Sequence, residues 1–323
     1  MQKMRGAASS AEPLSCRFPF KATPVPLTRQ ADMMRAILTL LLTCCTLLTQ
    51  AAPPQLLLDI ARFRNEDKAV KGGIVEIYAT VSGQSLTYMR RAPKMFQAAA
   101  TVTLEIIRAD GSAIYQETVT LKPPVLRDTT AAIKNPISFQ KRIVVPDGTY
   151  TVRGQVRDQY RNGNSSVVDI PLTVQTTSAK PILSDVVLLA KPASRSASDP
   201  NNFIRSGFSL TRTPGGLYAR GMEKLYFYSE LYNAPADQSL SLRYRARARG
   251  GTKDAASGTG SVNGLAGRPT PVVGELDLSK LPAGEYVLTV EIRNSKSQVL
   301  SSQTARLRHT PADYAPAGAV MPR

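Results

Sequence analysis

The segment Leu242-Arg243-Tyr244-Arg245-Ala246-Arg247-Ala248-Arg249 alternates arginine with uncharged residues. In an extended chain, residues two apart share a face. The pattern therefore sets Arg243, Arg245, Arg247 and Arg249 in one row, about 7 Å apart. Guanidinium forks grip phosphate, sulfate or carboxylate through paired hydrogen bonds. Four like charges in a row repel, so the row needs solvent, cross-strand acids or an anionic ligand. It reads either as a stripe that binds a polyanion or partner, or as a solvated sheet face whose charges discourage edge-to-edge pairing. Just upstream, Tyr226, Tyr228 and Tyr232 fall on one face of a second extended segment, with Leu225, Phe227 and Leu231 on the other. Such a tyrosine face is either a sugar-stacking platform or packing within a core or between domains.

Other chemistry is sparse. The single histidine, His309, is close to the C-terminus, so a Ser-His-Asp arrangement would depend on it alone. Cys16, Cys44 and Cys45 are the three cysteines, which leaves the rest of the chain without a thiolate metal site, a disulfide or a cysteine nucleophile. Carboxylates are scattered, and no glycine-rich phosphate loop follows a strand and opens a helix. The 158–164 segment (Asp-Gln-Tyr-Arg-Asn-Gly-Asn) offers oxygen ligands, but its lone carboxylate next to Arg161 suits a turn better than calcium. These features imply a non-enzymatic chain with no cofactor and no metal.

The elements that must carry the stripe and the tyrosines are strands. Pro146-Asp-Gly-Thr-Tyr-Thr-Val-Arg-Gly-Gln-Val-Arg-Asp158 and Pro282-Ala-Gly-Glu-Tyr-Val-Leu-Thr-Val-Glu-Ile-Arg-Asn294 are two copies of one segment, 136 residues apart without a gap. Each opens with a Pro-x-Gly turn, in which glycine is expected to supply a positive φ. Each continues with period-two alternation, led by Tyr150 or Tyr286, whose buried phenol can fix a corner by bonding to backbone. A repeat of this length implies two similar domains in tandem. Further strands are expected at 75–81, 99–107, 114–121, 137–145 and 167–174, the last entered through a two-residue Asn162-Gly163 hairpin. The expected fold class is all-β: two tandem Ig- or fibronectin-III-like β-sandwich domains over 54–176 and 181–309, joined by a short linker. Surface loops are expected at 191–202, 213–221 and 250–267, and a loose tail at 310–323.

Ahead of the sandwiches, residues 36–48 form an uncharged, largely apolar run behind Arg29 and Arg35, with small residues and a cut expected after Ala51. The run is too short to span a bilayer, so 33–51 reads as a secretory signal peptide. Residues 1–32 then read as an upstream extension or disordered segment, with translation starting at Met33 or Met34. Lipid attachment at Cys44 or Cys45 is a weaker alternative. The formal charge of +17 favours acidic neighbours; export directs that preference away from nucleic acid.

Val75-Glu-Ile-Tyr-Ala79, Ser85-Leu-Thr-Tyr88, the two Pro-x-Gly-x-Tyr strands, Leu183-Ser-Asp-Val-Val187 and Leu225-Tyr-Phe-Tyr-Ser-Glu-Leu-Tyr-Asn233 occur in an order that resembles the N-terminal Ig-like region of bacterial GWxTD-domain proteins. The resemblance covers about residues 60–308. The chain has no tryptophan and so lacks the Gly-Trp-x-Thr-Asp motif and the C-terminal part that carries it. The resemblance implies an Ig-like fold and a periplasmic or surface location, and transfers no catalytic residue. The expectation is an exported binding or scaffolding protein of the cell envelope, whose partner is an acidic surface polymer or an envelope protein met through the second domain. The alternative is a structural accessory subunit with no ligand of its own; a hydrolase comes last.

Overall fold

The computed structural model describes residues 52–67, 69–130, 134–199, 202–235 and 238–310. The leader over 33–51, the segment 1–32 and all but the first residue of the 310–323 tail lie outside them. Among the described residues no helix is long and apolar enough to cross a membrane.

In the first half, β1 (Leu56–Arg64), β2 (Gly73–Val81) and β7 (Ile137–Val145) form a three-stranded antiparallel sheet with β2 in the middle. A hairpin of β3 (Met89–Ala92) and β4 (Met95–Gln97) follows β2. The facing sheet has the order β6-β5-β8-β9, built from β5 (Ala100–Arg108), β6 (Ala113–Leu121), β8 (Gly148–Asp158) and β9 (Ser165–Val174). Val75, Ile77 and Ala79 of β2 meet Val102, Leu104 and Ile106 of β5 and Val152 and Val156 of β8 in one closed core. The alternation read from the sequence is thus the inward face of a sandwich.

The second half repeats that plan. β10 (Ile182–Leu183) and β11 (Val187–Leu189) both pair with β16 (Lys224–Tyr232), which also pairs with β19 (Thr270–Asp277). Between β11 and β16 lies an excursion that the first half lacks. It carries β12 (Ser194–Arg195), β13 (Ile204–Arg205) and β14 (Phe208–Ser209), which make a small sheet, and β15 (Leu217–Tyr218). Opposite stands a five-stranded sheet ordered β15-β21-β20-β17-β18, from β17 (Ser239–Ala248), β18 (Asp254–Asn263), β20 (Gly284–Arg293) and β21 (Val299–His309). Its core gathers Leu225, Phe227 and Leu231 against Leu242, Ala246, Leu288 and Val290. The fold is an all-β, Ig-like sandwich architecture.

The two repeated segments are β8 and β20. Tyr150 donates to the Pro146 carbonyl at 3.1 Å and Tyr286 to the Pro282 carbonyl at 2.9 Å, so each phenol ties its turn to its strand. Only Gly148 takes a positive φ, +156°; Gly284 does not. His309, at the end of β21, is buried with Nδ1 3.3 Å from the Pro282 carbonyl.

Three expectations are corrected. The β8–β9 connection is a six-residue loop, 159–164, rather than a two-residue hairpin, although Gly163 does turn at φ +72°. Asp158 is buried and accepts from the Thr87 and Tyr160 amides, which anchors that loop. The 250–267 segment is not a loop throughout, because it contains β18. Its small residues carry little strand propensity, and Gly258 is required by packing: a Cβ there would lie 2.4 Å from the Tyr244 ring. The 191–202 and 213–221 segments likewise contribute β12 and β15, short strands specified by their partners rather than by pattern.

A third apolar cluster joins the halves. Ala61 and Phe63 of β1, with Ile74 of β2, pack against Val187, Leu189, Leu210 and Tyr228. The outer faces of the two smaller sheets are therefore turned toward each other, with the excursion residues between them.

Candidate functional site

β17 points Leu240, Leu242, Tyr244 and Ala246 into its core. The alternate positions, Arg243, Arg245 and Arg247, consequently lie on the outer face. Arg249 stands just past the end of the strand, still tied to β20 through its amide on the Glu285 carbonyl at 2.9 Å. Cross-strand acids meet all four. Arg245 reaches Glu291 at 2.6 Å, Arg247 reaches Asp254 at 2.5 Å and Arg249 reaches Glu285 at 2.7 Å. Asp254 also lies 3.8 Å from Arg243 and 3.7 Å from Arg245, so one carboxylate serves three guanidiniums. Arg293 approaches Glu291 at 2.7 Å. Hydrogen bonds from Arg245 and Arg293, despite opposing burial, hold the Glu291 carboxyl below its ordinary value. The same bond to Glu291 raises Arg245.

The register enlarges the stripe beyond the four residues of the motif. β20 and β21 pair so that Arg306 and Arg308 oppose Val287 and Glu285 on this same outer face. The face thus holds Arg243, Arg245, Arg247, Arg249, Arg293, Arg306 and Arg308 against Asp254, Glu285 and Glu291. The carboxylates neutralise fewer than half of the arginines. Arg243, Arg247 and Arg249 remain 46%, 40% and 56% exposed, whereas Arg245 is largely covered at 16%. Arg306 and Arg308 were not recognisable as members from the sequence, since only strand pairing brings them beside β17.

The tyrosine face lies elsewhere, against the first half. Tyr228 and Tyr232 are buried and Tyr226 partly so. Between them on β16 sits Glu230, fully buried. The β13–β14 hairpin turns on Ser206-Gly207, both at positive φ (44° and 76°), the geometry of a tight two-residue turn. That turn presents Arg205 and Ser206 to the carboxylate. Glu230 Oε2 accepts from Arg205 Nη2 at 2.7 Å and from Tyr232 at 2.6 Å. Oε1 accepts from Arg205 Nε at 3.2 Å, Ser206 at 3.0 Å and Tyr228 at 2.9 Å. Burial alone would push Arg205 down; Glu230 reverses this and holds it above its ordinary value. Burial, then the Glu230 charge, raises both tyrosines well above theirs. The Arg205 guanidinium also lies 4.2 Å from the Phe63 ring centre, a cation–π contact into the first half.

Glu76 on β2 repeats the arrangement. It is fully buried and accepts from Tyr78 at 2.6 Å and from Arg142 Nη2 at 2.6 Å. Arg142 also donates to the Ile204 carbonyl at 3.1 Å and stacks on Phe203, both from the excursion. The halves are further joined by Arg62 with Asp185 at 2.7 Å and by the Arg64 amide donating to Tyr232 at 2.9 Å. Tyr228 and Tyr232 therefore build a contact between the halves, one of the two uses their spacing allowed. The acids share a repeated Glu-x-Tyr spacing, Glu76-Ile-Tyr78 and Glu230-Leu-Tyr232, which falls outside the 136-residue register because the β3–β4 hairpin and a longer β6–β7 connection lengthen the first half between β2 and β8.

Among the described residues no cluster of histidine, cysteine or carboxylate side chains could hold a metal ion. No family model matches the chain, and no curated protein does. Among solved structures, a calcium-binding mutant of Bacteroides uniformis β-glucuronidase 2 aligns with 76% of this chain and 28% of its own, at 11% identity and a TM-score of 0.27. A biofilm-associated protein BSP domain aligns with 83% of this chain and 68% of its own, at 9% identity and a TM-score of 0.21. The chain thus spans about a quarter of the glucuronidase's length.

Proposed function

We propose that this chain is an exported, non-enzymatic binding or scaffolding protein of the bacterial cell envelope, and that the outer face of its second large sheet meets an acidic surface polymer. The observation that carries the reading is the excess of arginine over carboxylate on that face, spread over β17, β20 and β21 with several forks exposed. A polymer of repeating carboxylates, sulfates or phosphates satisfies many such forks at once. The leader-like 33–51 segment and the GWxTD-protein resemblance support placing it outside the cytoplasm.

The test is binding of the purified protein to acidic polysaccharides across a salt series. The expected result is affinity that falls steeply as salt rises, and its loss in an Arg243→Ser, Arg247→Ser, Arg306→Ser variant that keeps its circular dichroism spectrum. A second reading is favoured by the finding that each of the four motif arginines already has a carboxylate within 4 Å. In that reading the face is a neutralised contact surface of an accessory subunit. No polysaccharide binding, together with a defined 1:1 complex with an envelope protein, would establish it instead.

A further inference from the structure

A second candidate site, independent of the arginine face, lies between the halves. A cavity of about 200 Å³ is lined by Asp59 of β1, Tyr78 and Thr80 of β2, Ser138 of β7, and Thr211 and Arg212 of the excursion. Buried polar groups without partners are rare and call for an explanation. Here Arg212 Nε, Arg212 Nη1 and Thr211 Oγ1 are all buried and unbonded. Arg212 is held in place by stacking, its guanidinium carbon 3.8 Å from the Tyr78 ring centre. Two of its three nitrogens thus lack a partner.

Of the two nearby acids, one is fully committed and one only half so. Glu76 is occupied by Arg142 and Tyr78. Asp59 uses Oδ2 to accept the Gly215 amide at 2.8 Å, which leaves Oδ1 for a ligand. Thr80 and Ser138, both lining the cavity, bond to each other through their hydroxyls at 3.0 Å. The cavity is therefore walled by a guanidinium, a carboxylate and hydroxyls. Asp59 would repel a bare dianion. A molecule with an anionic end and a hydrogen-bond-donating end satisfies both.

We propose that this cavity binds a small carboxylate bearing an amino or hydroxyl group, its carboxylate on Arg212 and its donor on Asp59. Because the walls come from both halves, the bound molecule links them, and binding stabilises the assembled pair by mass action.

The experiment is calorimetric titration and thermal unfolding of the full chain with L-serine and D-glycerate, alongside acetate, ethanolamine and sulfate. Serine or glycerate is expected to bind saturably and raise Tm, acetate more weakly, and ethanolamine not at all. Arg212→Gln should lower the affinity at least about 10-fold, the loss expected for hydrogen bonds to a charged group. Asp59→Asn should abolish the preference over acetate. Ser138 is exposed at the rim, so Ser138→Phe fills the cavity without entering a core and serves if Arg212→Gln does not fold. The Arg243, Arg247 and Arg306 serine variant should bind serine or glycerate as the native chain does, which separates this site from the polymer face. No saturable binding of either ligand, or unchanged affinity in Arg212→Gln or Ser138→Phe, overturns the proposal; sulfate binding as tightly as serine overturns the assigned ligand class.

Discussion

The two halves of the molecule agree inside and differ outside. Both place a phenol on the carbonyl of the proline four residues earlier, and both bury a Glu-x-Tyr pair on the middle strand of the smaller sheet. Their large outer faces diverge. On the first, Arg153 forks onto Asp169 at 2.8 and 2.9 Å, Arg157 and Glu105 complete an even balance, and Thr103 bonds Thr118 at 2.9 Å. On the second, the residue at the position of Arg153 is Thr289, that of Gln155 is Glu291, and arginines gather on the flanking strands. Cores and corners repeat because the sandwich demands them; the exposed sheet is free to specialise, and only the second carries an excess of charge.

The largest expected effect tests whether the two buried acids are equivalent. Arg205 is 5% exposed and Arg142 34% exposed, although both carboxylates are fully buried. Arg205→Ala strands Glu230 beyond the reach of water and should cost about 3–5 kcal/mol in denaturant unfolding, the range for breaking a buried pair. Arg142→Ala opens a path for water to Glu76 and should cost clearly less. Equal losses would mean that exposure of the cation does not set the penalty.

The next effect separates the halves by packing. Gly258 lies against the Tyr244 ring and Gly274 lies 2.6 Å, at its virtual Cβ, from Phe227; those two rings meet edge-on at 5.1 Å. The matching strands of the first half, β6 and β7, contain no glycine. Gly258→Ala should therefore destabilise by about 1–3 kcal/mol through overpacking, while Gln116→Ala on exposed β6 stays within about 0.5 kcal/mol. Comparable values for the two would remove the packing argument for β18.

These contrasts also show what the sequence could convey. The sandwiches were legible because Tyr150 and Tyr286 mark the same corner and because inward positions such as Val152 and Leu288 alternate without interruption. β18 was illegible because the residues that let it approach the Tyr244 ring are those with least strand propensity. The four-arginine row was visible from local alternation, but Glu291, Asp254, Arg306 and Arg308 join it only through register between strands distant in sequence. Arg205 and Arg212 gave no local signal at all: short hairpins and loops bring them onto Glu230 and Tyr78, and their roles exist only in three dimensions.

A pH series compares the Glu-x-Tyr pairs directly. Burial first, and the adjacent carboxylate second, raise Tyr78 and Tyr232 far above the ordinary phenol value of 10.0. The unfolded phenols ionise near that value while the folded ones stay protonated. Their contribution is thus fully present below about pH 10 and is lost as pH rises beyond it, by up to about 1.4 kcal/mol per phenol per pH unit. Unfolding free energy should fall between pH 10 and 11.5, and the slope should shrink in Tyr78→Phe and in Tyr232→Phe. A slope unchanged in both variants would show that these two phenols are not what the alkaline limb reports.

The smallest effect is the most diagnostic of the two outer faces, because its sign is expected to differ between them. Arg153 makes a paired fork with Asp169 on a balanced sheet, so Arg153→Gln should destabilise slightly, as for a well-formed exposed pair. Arg243 sits 3.8 Å from an Asp254 that already serves Arg245 and Arg247. Removing it costs little attraction and relieves repulsion among neighbouring arginines, so Arg243→Gln should be neutral or slightly stabilising at low ionic strength. Added salt screens exposed charges at these separations, and both differences should shrink toward zero in 1 M salt. A face selected for fold stability alone would lose stability when either arginine is removed. A face that holds charge in excess for a partner gains, or loses nothing, when one of its surplus cations goes.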